Sequence, residues 1–316
     1  MGARALSLDT VVTAVDRFIP AALRKTDRAP LAPALDAEVR HVDTWSAGRL
    51  AYYVDTRAAG RPVVLLHGVD AAASSKEMAP LFDALRGERP VYALDLPGFG
   101  LSERADRPYD REIFRAAVRR FLTDVVRADG GADVVALSLS SEFAAAVACE
   151  EMSLVHSLVL LSPTGLGREA PGASAVLRAV SRVPHVAEAL YRVLVTPPSI
   201  RWFLRKSFVG DPDPGLVEYA VATSKEPGAH RAPLAFIAGE LFTEDAFQRL
   251  YTRLPVSTLI LYDHDPHARF DRLDDLVKQN ARVEAARVAP TRGLPHFDRL
   301  DATLEAVRKF WAQDPW

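Results

Sequence analysis

DVVALSLSSEFAAAVACEEM, residues 133–152, changes character partway along. Its first five residues form a short apolar run of the kind found in strands covered on both faces, whereas SSEFAAAVACEEM carries the spacing of a helix. Three serines, Ser138, Ser140 and Ser141, stand around the junction, and no glycine does. In an open parallel sheet, reactive groups lie beyond the carboxyl ends of the strands. A serine exposed on a sharp strand-to-helix turn needs small residues two places before and after it, because strand and helix approach closely there. Ser138 has Ala136 and Ser140 in those places, whereas Ser140 would have Ser138 and Glu142, and Ser141 would have Leu139 and Phe143. Sterics select Ser138 as the candidate nucleophile and leave Ser140 or Ser141 to cap the helix.

The strand-then-helix pattern repeats on both sides of this stretch. Apolar runs recur at PVVLLHG (62–68), VYALD (91–95), SLVLLS (157–162) and STLILYD (257–263), with VEAARV (283–288) as a last candidate. Between most of them lie amphipathic helical patterns, at 75–87 and 109–128 and within the opening stretch. VRHV and LAYYVD, separated by SAGR (46–49), have the form of a β-hairpin. Such alternation predicts an α/β fold, a mainly parallel sheet with helices on both faces. It breaks between about Gly165 and Pro255, where the chain is helical in pattern, punctuated by proline and rich in aromatic residues and arginine. That segment is expected to be an insertion over the sheet. The spacing over residues 8–19 predicts a separate amphipathic helix, expected to pack on the domain surface, with a homodimer contact or membrane-surface association as alternatives.

Composition narrows the class of function. With 316 residues, 49% hydrophobic, the chain can bury a large core, and a net charge of −2 gives no electrostatic reason to expect nucleic acid. A small neutral molecule is the expected partner, with no integral membrane segment. Cys149 is the only cysteine, which excludes an internal disulfide or a cysteine-based zinc site and suggests a reducing, cytoplasmic setting. The opening MGARALSLDTVVTAVDRF meets Asp9 and Asp16 before any apolar run long enough for a signal peptide.

A serine hydroxyl needs a base to take its proton and an acid to orient that base. Of eight histidines, His296 lies in TRGLPHFDRL, after the last strand candidate and before the final helix DATLEAVRKFW. The acid should follow an apolar strand lying between the two in sequence, and STLILYDHDPH supplies Asp263 and Asp265. Asp265 is preferred because Pro266 places it in a loop, and Asp263 remains open. The competing interpretation of DHDPH, a metal site from Asp263, His264, Asp265 and His267, suffers from spacing too close for convergence. No metal or cofactor is expected. The backbone amides of Leu139 and of Val69, in the loop after PVVLLHG, are the candidate oxyanion donors. His67 is expected to be structural, and Asp70 to cap that loop or line the pocket.

LLHG (65–68), DLPGFGLS (95–102), the elbow ALSLS (136–140), DHDP (263–266) and GLPHF (293–297), in this order, resemble the α/β-hydrolase fold superfamily over about residues 38–316. The resemblance implies an eight-stranded, mostly parallel sheet, a helical cap inserted after the sixth strand, and a Ser138–Asp265–His296 triad. The implied division is 1–37 as N-terminal helix and extension, 38–164 with 256–316 as core, and 165–255 as cap. Serine at position 138 points away from the branches that use aspartate there, and both customary elbow glycines are absent. The implied activity is a serine hydrolase cleaving an ester, lactone or thioester of a largely apolar substrate, or a C–C bond. The alternatives are a ligand receptor, a cofactor-free cyclase or lyase, or an acyltransferase. Cap aromatics Tyr191, Trp202, Phe203, Phe208, Tyr219 and Phe236 are the candidate specificity residues.

Overall fold

The computed structural model describes residues 29–168 and 184–313, so the helix expected at 8–19 lies outside the described residues. Eight strands form one sheet: β1 (Glu38–Thr44), β2 (Gly48–Asp55), β3 (Val63–Leu66), β4 (Val91–Leu94), β5 (Ala132–Leu137), β6 (Val155–Leu161), β7 (Ser257–Tyr262) and β8 (Val283–Arg287). Their order across the sheet is β1-β2-β4-β3-β5-β6-β7-β8. The first hairpin and the β2–β4 pair are antiparallel and the rest are parallel, in agreement with the expected fold. The 46–49 turn closes because Thr44 Oγ1 accepts from the Ala47 amide and donates to the Gly48 carbonyl, with Gly48 at φ 76°.

Helices connect the strands: α1 (Ala79–Leu85), α2 (Arg111–Phe121) and α3 (Ser140–Glu150) come before β6. The insertion between β6 and β7 contains α4 (Pro184–Leu194), α5 (Pro197–Lys206), α6 (Pro214–Thr223), α7 (Arg231–Ile237) and the single turn α8 (Ala246–Arg249). After β7 come α9 (Leu273–Gln279), the short α10 (Pro295–Asp298) and α11 (Leu300–Gln313). None of the described helices is long and apolar enough to cross a membrane.

Burial follows the period of each element. Along β5, Val134 and Ala136 face an apolar layer with Phe114, Phe121 and Phe143, while Val135 and Leu137 face the opposite layer with Phe82, Leu304 and Phe310. The middle of the sheet is therefore apolar on both sides, which explains why its strands lack polar alternation. In α2 the buried positions Phe114, Ala117, Val118 and Phe121 make one stripe, and Asp110 caps the helix by accepting from the Ile113 amide at 3.0 Å. The single helix expected over 109–128 is broken. After Phe121 the chain forms a π-helical turn over Leu122–Val126, ended by Arg127 at φ 48°.

The sheet order reverses direction between β3 and β5, so the loops after these neighbouring strands diverge and leave a crevice at their carboxyl ends. The cap is tied over that end. Tyr191 of α4 donates its hydroxyl to the Ala71 carbonyl at 2.9 Å, and Arg104 donates to Thr223 Oγ1 of α6 at 2.9 Å.

Candidate active site

Ser138 directly follows β5 and has φ 53°, a left-handed conformation that an L-residue adopts only where its surroundings enforce it. Its amide donates to the Leu161 carbonyl at 2.9 Å, and its carbonyl accepts from the Ser141 amide at 3.2 Å. These bonds hold the turn from both sides and leave the side chain half-buried. The other serines are occupied: Ser140 Oγ donates to the His67 carbonyl at 2.5 Å, and Ser141 Oγ to the Ala136 carbonyl at 3.2 Å. Ala136 and Ser140 are both fully buried, as close approach of strand and helix requires.

The loop after β3 is fixed by polar bonds of its own. His67 is buried; its Nε2 accepts from the Leu96 amide at 3.0 Å, so Nδ1 carries the proton and donates to the Gly68 carbonyl at 2.6 Å. Burial holds this imidazole below its ordinary pKa, and it is a neutral structural group, as expected. The Gly68 amide donates to Glu77 Oε2 at 2.8 Å. Val69 follows in this loop, which the Ser140–His67 bond ties to the start of α3, and Leu139, the residue before that helix, has an amide with no acceptor inside it. Asp70 accepts from the Ala72 amide at 2.7 Å, and burial raises its pKa.

His296 lies in α10 and is fully buried. Its Nε2 is 2.6 Å from the Glu77 carbonyl oxygen, which can only accept, so Nε2 carries the proton. Nδ1 is buried without a hydrogen-bond partner, and burial pushes the imidazole down to about 4. Its ring lies against Phe297, which packs edge-on against Phe208 at 5.4 Å. Among the described residues no hydrogen bond joins His296 to Ser138 or to Asp265.

The two candidate acids are in different situations. Asp263, just past the end of β7, accepts from Arg287 Nε at 2.7 Å and from the Thr291 amide at 2.8 Å. Burial works upward on its carboxyl, but these donors hold it below the ordinary value. Asp265 accepts only from the His267 and Ala268 amides of its own loop, and burial raises its pKa. Its carboxyl covers Gly293, where a Cβ would lie 3.0 Å from Oδ2, three residues before His296. Among the described residues no cluster of three or more His, Cys, Asp or Glu side chains could hold a metal ion.

The cap aromatics divide. Tyr191 and Tyr219 are buried, and burial keeps both phenols far above their ordinary pKa. Tyr219 donates to the Ala32 carbonyl at 3.0 Å. Phe236 stacks on Phe242 at 5.5 Å, against the apolar layer that contains Phe114 and Phe143. Trp202 and Phe203 stand on the outer surface of α5, 54% and 41% exposed, with Lys206 Nζ 3.4 Å over the indole. They are not gathered with the groups beneath the cap.

Sequence reasoning missed Glu77, which is only 5% exposed. Burial, reinforced by the Asp70 charge, pushes its carboxyl well above the ordinary range. A signal was available: Glu77 stands four and eight residues before Leu81 and Leu85, on the apolar stripe of its own helical segment. It also missed Arg104, a half-buried cation that contacts α6 through Thr223.

A family model described as the alpha/beta hydrolase family matches residues 63–306. No curated protein matches the chain. Among solved structures, the enol-lactonase from Burkholderia xenovorans LB400 is similar at 18% identity and TM-score 0.64, over 86% of this chain and 99% of that one. The carboxylesterase from Bacillus subtilis is similar at 16% identity and TM-score 0.69, over 87% and 91%. The meta-cleavage product hydrolase from Pseudomonas fluorescens IP01 is similar at 17% identity and TM-score 0.67, over 87% and 98%.

Proposed function

Because the chain belongs to the alpha/beta hydrolase family, we propose that it is a serine hydrolase acting on an ester, lactone or thioester of a small substrate, with Ser138 as nucleophile. The observation that carries this is the left-handed backbone of Ser138 at the end of a central strand. Neither neighbouring serine competes, since each has its hydroxyl bonded to a backbone carbonyl.

In this reading Ser138 attacks the carbonyl carbon, His296 takes its proton and passes it to the leaving group, and water releases the acyl-enzyme. The amides of Val69 and Leu139 receive the oxyanion. Asp265 orients His296. Its freedom from a cationic partner and its place over Gly293 support it, whereas Asp263 is committed to Arg287 and Thr291. The working imidazole carries its proton on Nδ1, toward Asp265, so that Nε2 can accept from the serine. In the arrangement described above the proton sits on Nε2, bonded to the Glu77 carbonyl. Substrate entry must free that atom, consistent with catalytic hydrogen bonds that tighten only in the substrate complex.

The same bond favours a second reading, in which His296 stays on Glu77 and the protein binds a ligand, or closes or cleaves one without an acyl-enzyme. One experiment separates the two. A panel of acyl ester, lactone, thioester and diketone is run on the wild type and Ser138→Ala, with fluorophosphonate labelling of both. The hydrolase reading expects labelling at Ser138 and turnover lost by at least 10³-fold in Ser138→Ala. Equal performance of the two proteins on every compound would reject it in favour of the second.

A further inference from the structure

The segment after β4 carries a cation that the hydrolytic machinery does not use. Arg104 emerges from the DLPGFGLS turn into the seam between core and cap. Its Nη2 donates to the Gly100 carbonyl at 2.6 Å and to Thr223 Oγ1 at 2.9 Å. Its Nε is buried with no hydrogen-bond partner. Among the described residues no carboxylate lies within 4.0 Å of the guanidinium. Glu226, at the turn after α6, and Asp95 act on it only through space.

None of the neighbouring polar groups contacts it as a counter-ion. Asp95 accepts from the Ser75 amide at 2.8 Å, the Leu101 amide at 2.8 Å and the Tyr53 hydroxyl at 3.4 Å, and makes no ion pair with Arg104. The Tyr191 and Tyr219 phenols are neutral and donate to the Ala71 and Ala32 carbonyls. A guanidinium half withdrawn from water, with a buried unmet donor and no contact counter-charge, is costly to maintain. A carboxylate brought by a ligand meets both needs at once, since the planar fork of arginine matches carboxylate geometry.

Position also favours a ligand. Arg104 touches the cap through Thr223, and its carbonyl accepts from Arg231 at 2.6 Å. Tyr191 spans from the same cap to Ala71, in the same loop as Val69. The cap therefore meets both Arg104 and the loop after β3, which the Ser140–His67 bond ties to the serine turn.

We propose that Arg104 is the anchor for a carboxylate on the substrate, so that the hydrolysed acyl compound is a small organic acid rather than a neutral molecule. This rests on the Ser138 hydrolase reading for the reaction, though the binding site stands apart from it. It also revises the neutral substrate expected from the sequence, because net charge says nothing about one buried cation.

The test compares the p-nitrophenyl half-ester of glutarate with the neutral p-nitrophenyl pentanoate on wild type, Arg104→Gln and Arg104→Lys, with Tm recorded for each. The wild type is expected to favour the acidic ester in kcat/KM, and Arg104→Gln to reduce that preference about 10- to 100-fold. Arg104→Lys, which keeps the charge but not the fork, should fall between them. A wild type without preference, or an Arg104→Gln that lowers both substrates alike, overturns the proposal. If the wild type hydrolyses neither ester, the Ser138 reading fails on its own, and calorimetric titration with glutarate decides the site. Binding by wild type that Arg104→Gln loses supports the anchor, and no binding by wild type overturns it.

Discussion

Ser140 illustrates how a position chosen for its size can also carry a bond. Its hydroxyl donates to the His67 carbonyl and so ties the start of α3 to the loop holding Val69. On sterics alone, Ser140→Gly would relieve crowding at the elbow. The hydrogen bond predicts the opposite: Ser140→Ala should destabilise by about 1–3 kcal/mol by leaving a buried acceptor unmet. Ser140→Gly should cost about 1 kcal/mol more from helix propensity. Denaturant unfolding of the two variants checks both figures. At His296 the sign of the pH effect follows from burial. Its pKa in the fold is about 4 against an ordinary 6.5, so between these values the unfolded chain binds the proton and the folded one does not. Stability is fully present above about 6.5 and falls as pH drops toward 4, by about 3 kcal/mol for this group. His296→Gln should lose correspondingly less over that window in pH-dependent unfolding. The strained turn at Ser138 was legible in sequence because steric demand at a turn involves only near neighbours. Glu77 was less so, because the groups that bury it and bond to it, Gly68 among them, are brought together by the fold.

At the scale of elements, strands were legible where burial covers both faces, since an apolar run such as VVLL needs no knowledge of its partners. Helix ends were not. The pattern over 109–128 has one period throughout, yet the helix gives way at Leu122 to a π turn that no local residue announces. The cap helices were expected as an insertion, but which aromatic faces inward depends on how each helix packs. Tyr191 and Trp202 are both aromatic residues of cap helices, and one is buried against the loop after β3 while the other is 54% exposed. The Tyr191 hydroxyl is a direct tie between α4 and the core. Tyr191→Phe should cost about 1 kcal/mol, lower Tm by about 2 °C, and raise KM more than it lowers kcat, because the cap is loosened while the serine turn is untouched. Calorimetry and steady-state kinetics on the same preparation check the split.

For the whole molecule, the sheet order places two loops face to face across the β3–β5 crevice, and the chain returns after β8 to place His296 beside them. One of these loops carries the strained serine, and the other carries Gly68, whose carbonyl accepts from His67 and whose amide donates to Glu77. The cap lies over this end and contacts one arginine, Arg104, that lacks a contact counter-ion, which is poorly suited to a purely apolar guest. The central claim is that this assembly makes Ser138 a nucleophile. The most direct measurement is active-site labelling of the intact protein with a fluorophosphonate, followed by peptide mass mapping. The account predicts one label per chain, on Ser138, lost in Ser138→Ala and suppressed by prior addition of a hydrolysable ester. Absence of label on folded wild type, or label on any other serine, would contradict it.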